Sequence, residues 1–457
     1  MKNLFLYMLL AFVVIINHGF SQNLSIPHSP TIENVVQPAP LNMPDIWSFQ
    51  DCVDWAVANN NDVRRSILSI LEADENIGMA KDAWLPSVGF STNQNFTNYL
   101  SPGDGQKNNI YGSSYNISAS WTIWEGNIRK YRLESAKLSR QQQELAGNDI
   151  IKELELGILQ AYLNIMYSAE AVTIAQKSLE VSTAQAQRAK RFMESGRSSR
   201  VDYAQFESQK AQDEYNLVQA QSNYASAVIS LKNILNLDLQ YELKIKEFVF
   251  EDNEVEYILP SKQEVFDYAM QWLPQFKSNE LNKDIFEYDI KIAKASYLPN
   301  ISLNGGLGTG YNSGGPAWGS QMGHNFNENI GLSLSLPIYD GNASRRAVAI
   351  AKLNSLDYDL NKTELKNQLS QTIENLYIEA ENARAKYSTG KVQLEATELT
   401  AELVDRQFEL GLVNPLELLT AHNNLLNARL ELLQSKFMAI LSNKTINYYA
   451  TTQIKMP

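Results

Sequence analysis

The sequence predicts an α+β membrane protein. Two internal repeats each supply two strands to a β-barrel that no single chain can close, and the barrel continues into a wall of long coiled-coil α-helices. Three observations predict it. First, Lys81, Leu85 and Pro86 recur 213 positions later as Lys294, Leu298 and Pro299, while Gly126-Asn127, Ala136-Lys137-Leu138, Tyr162 and Gly196 recur 215 positions later as Gly341-Asn342, Ala351-Lys352-Leu353, Tyr377 and Gly411. An offset so nearly constant over almost the whole chain means duplication of a complete helix, strand, strand, helix, helix unit, not a short solenoid repeat. Second, each unit has segments of period two with one apolar face and one small polar face. Third, each unit has proline-free helical stretches of unusual length.

The elements follow in chain order. Residues 1–21 read as a secretory signal, with Lys2, an apolar run from Leu4 to Ile16, and Gly19-Phe20-Ser21 as small-residue cleavage context. Residues 22–46 carry Pro27, Pro30, Pro38, Pro40 and Pro44 and form an extended arm without a core of its own. The first repeat spans 47–237, a charged and aromatic belt segment spans 238–263, the second repeat spans 264–450, and 451–457 is a tail. The helical pattern of the first repeat breaks near Asn59–Asn61 and stops at Trp84-Leu85-Pro86, because the residue before a proline is pushed towards extended backbone.

Beyond Pro86 the period becomes two. Tyr111, Tyr115, Ile117, Ala119, Trp121 and Ile123 share one face, against Gly112, Ser114, Asn116, Ser118, Ser120 and Thr122. In the second repeat Ile301, Leu303, Leu307 and Tyr311 oppose Ser302, Asn304, Gly306, Gly308 and Gly310, and a last strand over Phe326–Ile338 sets Ile330, Leu332, Leu334 and Leu336 against Asn329, Gly331, Ser333 and Ser335. This is the alternation of a transmembrane barrel, in which tilted strands need roughly nine to eleven residues each. An ordinary half-buried sheet alternates in the same way. The nearly charge-free Ser, Asn and Gly face and the long Gly/Asn/Ser-rich loops at Ser101–Asn109 and Asn312–Asn325 favour the barrel. Open sheet edges cannot stand in hydrocarbon, so four strands are too few, and three chains would supply twelve. The glycine run from Gly305 to Gly310 lies inside this alternation and is not followed by a helix N-terminus, which argues against a phosphate loop.

Glu125-Gly126-Asn127 and Asp340-Gly341-Asn342 then turn strand into helix, with glycine permitting the turn and asparagine able to cap. Each following helix can run some 65 to 70 residues, roughly 100 Å. The return helices are heptad-patterned. Leu416, Leu419, Asn423, Leu426, Leu430, Leu433, Phe437 and Ile440 alternate spacings of three and four, and the same phase in the first repeat runs Val201, Ala204, Ser208, Ala211, Tyr215, Val218, Ser222, Ala225 and Ile229. A second line through Leu418, Leu425 and Leu432 gives each helix neighbours on two sides, as a tube wall requires.

Composition excludes several function classes. The formal charge of −12, or −13 once Lys2 leaves with the signal, and the lack of a basic block argue against nucleic acid as a partner. A single cysteine, Cys52, excludes an intramolecular disulfide and reads as a packed residue. His18, His28, His324 and His422 form no sequence-local metal site. No cofactor is expected and no enzyme, since no local set of nucleophile, base or metal ligands exists; Glu153/Glu155 and Glu379/Glu381 lie two apart on helices, where side chains diverge. A secreted trimeric coiled-coil protein, structural or adhesive, would keep the heptads, but it would not require the alternating strands.

The chain resembles the outer-membrane efflux protein family, the TolC-like channels. The residues that carry the resemblance are Ala83-Trp84-Leu85-Pro86 and Ser296-Tyr297-Leu298-Pro299, Leu336-Pro337-Ile338-Tyr339-Asp340-Gly341, and the hairpin tips Gly196 to Asp202 and Gly411 to Glu417. The resemblance implies a homotrimer with a 12-stranded β-barrel in outer-membrane lipid and a long α-helical tunnel in the periplasm. It further implies a periplasmic adaptor and an inner-membrane pump as partners, in efflux or type I secretion. It makes Gly196, Arg197, Ser198, Ser199, Gly411, Leu412, Val413 and Asn414 the adaptor-docking tips and places Asp202 and Glu417, with Phe408 and Thr420, at the gate. Here the chain departs from the family pattern: Val413 and Thr420 stand where a basic and a second acidic residue are expected, and Phe408 replaces a tyrosine. Three-fold symmetry would gather Glu417 and Asp202 into a cation-selective constriction whose carboxylates repel one another and bind protons more readily. Asp202 and Glu417 also fit a plainer role, as carboxylates favoured in the first turn of a helix.

Overall fold

The computed structural model describes residues 43–100, 107–238, 240–256, 258–454 and 456. The signal segment 1–21, the arm up to residue 42 and most of the first long loop (101–106) lie outside the described residues. In order, the elements are α1 (Phe49–Asn59), α2 (Asn61–Asp82), β1 (Ser87–Asn98), β2 (Asn109–Glu125), α3 (Ile128–Glu194), α4 (Arg200–Ile234), α5 (Asp252–Val255), α6 (Lys262–Trp272), α7 (Pro274–Ala295), β3 (Asn300–Asn312), α8 (Trp318–His324), β4 (Asn327–Ser335), α9 (Ala343–Glu409) and α10 (Pro415–Thr451). Both bounds of α6 and α7 lie 213 positions after those of α1 and α2, and both bounds of α9 lie 215 after those of α3.

The strands form one antiparallel sheet in the order β1-β2-β3-β4, so β2 and β3 join the two halves and the outer edges of β1 and β4 are unpaired. The register puts Phe90, Ile117 and Leu307 side by side on one face and Asn116 beside Gly308 on the other. The apolar face is bare: Phe90, Ile330, Leu332 and Leu334 are all more than 60 % exposed. The glycines of the former run serve close packing over the polar face. A Cβ at Gly308 would stand 2.7 Å from Asn116 Oδ1, and one at Gly306 would stand 2.9 Å from Asn329 Oδ1. β4 stops at Ser335, three residues before the expected end at Ile338, because Pro337 has no N–H to donate to a ladder.

The second long loop is not structureless. Residues 318–324 form α8, held down by buried Gln321, whose amide accepts from Asn312 N (2.9 Å) and donates to Asn312 O (2.7 Å). At the strand-to-helix turns Asn127 and Asn342 do not cap with their side chains as expected. Each takes left-handed backbone (φ 67) directly after a left-handed glycine, so the pair reverses the chain by conformation alone. The anchoring falls to neighbours. Buried Arg129 donates to Ile123 O (2.9 Å) beneath the Trp84 ring, and Asp340 accepts from Ser344 N (2.8 Å).

α3 and α9 are 67 residues each, about 100 Å long. α3 pairs with α4, α9 pairs with α10, α10 also packs on α3, and α7 lies against both α3 and α9. The belt segment wraps this waist. Residue 245 bridges Trp47 in parallel, Tyr162 Oη lies 2.5 Å from Lys246 O, Asp252 binds Tyr387 and Lys391, and Glu254 pairs with Lys444. Cys52 is fully buried in the same core and its thiol is pushed up to about 12 by desolvation. No described helix is long and apolar enough to cross a membrane.

The two return helices break the expected equivalence. In α10 the line starts exposed at Leu416, like Val201 on α4, but Leu419, Leu433, Phe437 and Ile440 are buried, and the last three pack against the first half, around Ile158, Leu159 and Tyr162. In α4 the matching line through Val201, Tyr215, Val218 and Ile229 is exposed, and the helix meets α3 through Phe206, Asp213, Ala227 and Leu231 instead. In α10 the heptad line therefore faces the other hairpin, while in α4 it faces solvent.

Candidate functional site

The free ends of the two helical hairpins lie about 100 Å from the sheet and hold every residue singled out for gating or docking. Each turn is built the same way. α3 ends in a Schellman arrangement, Arg197 N donating to Phe192 O (2.8 Å) and Gly196 N to Met193 O (3.0 Å), with Gly196 at φ +74; α9 ends with Leu412 N on Gln407 O (2.9 Å), Gly411 N on Phe408 O (3.0 Å) and Gly411 at φ +75. The next helix starts at once. Ser199 caps α4, accepting from Asp202 N (3.0 Å), and Asn414 caps α10, accepting from Glu417 N (3.0 Å), with Pro415 in the first turn.

Both carboxylates expected at a gate thereby have local work. Asp202 accepts from Ser199 N (3.0 Å) and Ser198 Oγ (2.9 Å), closing a capping box, and Glu417 Oε1 accepts from Asn414 Nδ2 (3.1 Å). The Ser199 backbone N–H is the chief reason that the Asp202 carboxyl sits below its ordinary range, aided by the Ser198 hydroxyl. This shift is set inside the turn, by groups of the same chain. No hydrogen bond or ion pair joins Asp202 to Glu417 among the described residues.

Phe408 and Thr420 are placed differently from each other. Phe408 is half-buried, edge-on to Phe206 at 5.6 Å, in a cluster with Ala186, Ala189, Leu418 and Leu419 that draws all four long helices together. Thr420 is exposed and its hydroxyl turns back to Leu416 O (2.7 Å). On the outer tips Gly196, Arg197, Ser199, Gly411, Leu412 and Asn414 are exposed, while Ser198 and Val413 are half-buried. Arg197 lies 4.7 Å over the Phe192 ring.

A polar clasp between the hairpins escaped the sequence reading. His422 Nε2 lies 3.0 Å from Asp405 Oδ1 and 3.0 Å from the Gln185 amide, Arg188 pairs with Glu409 (3.0 Å), and Gln209 and Asn423 exchange amide contacts at 3.1 and 3.2 Å above buried Asp213. Asn423 was its one visible trace, an amide on a heptad line where leucine would pack. Such a residue fixes register at some cost in stability. The described residues contain no cluster of metal-ligating side chains.

The model of the family described as outer membrane efflux protein matches residues 53–237 and 267–438. The chain is 19 % identical over 394 residues to the outer membrane efflux protein BepC of Brucella suis, covering 85 % of this chain and 82 % of that one. It is 20 % identical over 400 residues to the outer membrane protein TolC of Escherichia coli, covering 85 % and 79 %. Among solved structures, the CmeC outer membrane channel of Campylobacter jejuni superposes with a TM-score of 0.69 at 18 % identity, covering 88 % of this chain and 86 % of that one.

Proposed function

The chain belongs to the outer membrane efflux protein family, and from that premise we propose that three copies close into one passive duct from periplasm to exterior, the outer-membrane channel of a tripartite efflux or type I secretion system. Its strands stand in the outer membrane and its helices in the periplasm. The observation that carries the reading is that both layers are unfinished on both flanks. β1 and β4 have unpaired edges, which hydrocarbon does not tolerate, and twelve strands make a closed barrel. In the helical layer α4 leaves Val201, Tyr215, Val218 and Ile229 bare, and α9 leaves Ile350, Leu353, Leu356 and Leu360 bare.

The hairpin tips then point into the periplasm. The exposed turns at Gly196–Ser199 and Gly411–Asn414 are the surfaces that meet a periplasmic adaptor, and through it an inner-membrane pump. Three copies of Glu417, with Asp202 behind them, ring the entrance and favour cations, while Phe408 stiffens the wall that carries them. The mature chain in detergent is expected to have the mass of three copies and to conduct across a planar bilayer. A water-soluble monomer with no conductance overturns the channel. Reversal potentials test the ring separately: Glu417→Gln is expected to reduce cation preference, and unchanged selectivity leaves Glu417 with its helix-start role alone.

A further inference from the structure

The seam between the halves inside one chain is a template for the seam between copies. α7 lies against both α9 and α3, whereas α2, also 22 residues long, packs chiefly on α3, and α9 has α7 on one flank only. Towards the sheet the filled contact of α7 with α3 is neutral. Tyr288 and Tyr131 lie with ring centroids 6.2 Å apart, and Gln142 Nε2 donates to Asn282 Oδ1 (2.6 Å) and Ser278 O (3.3 Å). The offsets that superpose the element bounds, 213 for α2 on α7 and 215 for α3 on α9, carry these contacts to the unfilled flanks. Tyr131 becomes Arg346 and Tyr288 becomes Glu75; Gln142 becomes Asp357, Asn282 becomes Ser69 and Ser278 becomes Arg65. A neutral contact thus becomes two pairs of opposite sign.

We propose that α9 of one copy seats on α2 of the next through an ionic key, Arg346 to Glu75 and Asp357 to Arg65 and Ser69, just below the membrane. The proposal rests on the trimer reading and adds its register and its charge. Arg346, Glu75, Asp357 and Arg65 are all exposed in the single chain, and neither Arg346 nor Glu75 has an ion pair there among the described residues. The third polar contact, Gln275 to Asp149 (3.1 Å), maps onto Asp62 opposite Glu364, and Arg65, 3.0 Å from Asp62, supplies the cation at that level. Opposite charges on two different flanks select a head-to-tail contact, the kind that closes a ring, and disfavour pairing of like flanks.

The test uses the full mature chain in detergent. With Glu75→Cys and Arg346→Cys in the same chain, a short thiol-specific crosslinker is expected to give covalent species of two and three chains. The control with Tyr131→Cys and Tyr288→Cys should stay at the mass of one, and buried Cys52 should not react. Light scattering before crosslinking counts the copies. Three copies without the crosslink overturn the register and spare the trimer; one copy overturns the trimer itself. For the charge, Arg346→Glu is expected to lower the salt concentration at which the trimer dissociates, and adding Glu75→Arg to restore it. A double variant as weak as the single one, or a single variant as strong as the parent, overturns the ionic key.

Discussion

α4 and α10 are the same helix written twice, and they meet opposite fates. Phe437 of α10 is 7 % exposed, edge-on to Tyr167 and Phe250, while the equivalent position on α4 is Ser222, open to solvent with Val218 and Ile229 beside it. The difference teaches where the molecule ends. The second hairpin finds the first within its own chain and fills its seam with large side chains. On the outer flank of α4 the first hairpin has no such neighbour in the chain, and it carries smaller and more polar residues along the same line. A full leucine seam left open to water would invite aggregation.

The largest way to break the comparison is to empty the filled seam. Phe437→Ala is expected to cost the chain about 3 to 5 kcal/mol, read as a lower unfolding midpoint in denaturant, whereas Ser222→Ala should leave that midpoint unchanged. A similar loss at both positions would mean that α4 is packed within the chain after all. The comparison sharpens with Val218→Glu on the open seam: secondary structure by circular dichroism should be retained while the three-copy mass is lost.

The hairpin tips, where the halves are most alike, should respond alike and less. Gly196→Ala and Gly411→Ala each force a Cβ into left-handed backbone with nothing within 4 Å of it, so the cost is conformational, about 1 kcal/mol each. Unequal losses would show that one turn is held by something besides its own geometry. Smallest is Asp202→Asn, about 0.5 kcal/mol at neutral pH from the lost helix-start charge. Because the folded carboxyl is depressed below its unfolded value, its contribution is present above roughly pH 4 and disappears as pH falls through the folded value. Parent and variant should therefore converge in acid. A gap that persists at pH 2 would assign the effect to shape instead of charge.

Much of this architecture was legible in the residues because it rests on local rules. Pro86 and Pro299 stop helices, the two-residue alternation named strand faces that the register matches outside the bulge between Thr122 and Trp124, and Asp202 and Glu417 stand in first turns, where carboxylates are favoured. The misreadings came where a local signal was absent or ambiguous. α8, from Trp318 to His324, is seven residues and too short to show a period, held by the side chain of Gln321 to a strand nine positions away. Asn127 and Asn342 suit either a cap or a left-handed turn, and the glycine before each decided for the turn. At the hairpin ends the sequence named the carboxylates but not the clasp, since His422, Asp405 and Gln185 come from three helices with no shared spacing.

By itself, then, the sequence determined the periods: where strands and helices run, how long they are, and that the unit occurs twice. Period, proline, glycine and cap are properties of neighbouring residues, and they act before any tertiary contact exists. Only the tertiary structure decided which of two heptad lines in the same phase is buried, which flank stays open, and which carboxylate is tied to a backbone N–H. A helix face carries the same residues whatever lies opposite it. Burial and charge pairing are set by what lies opposite, which within this chain is the other half for α10 and solvent for α4.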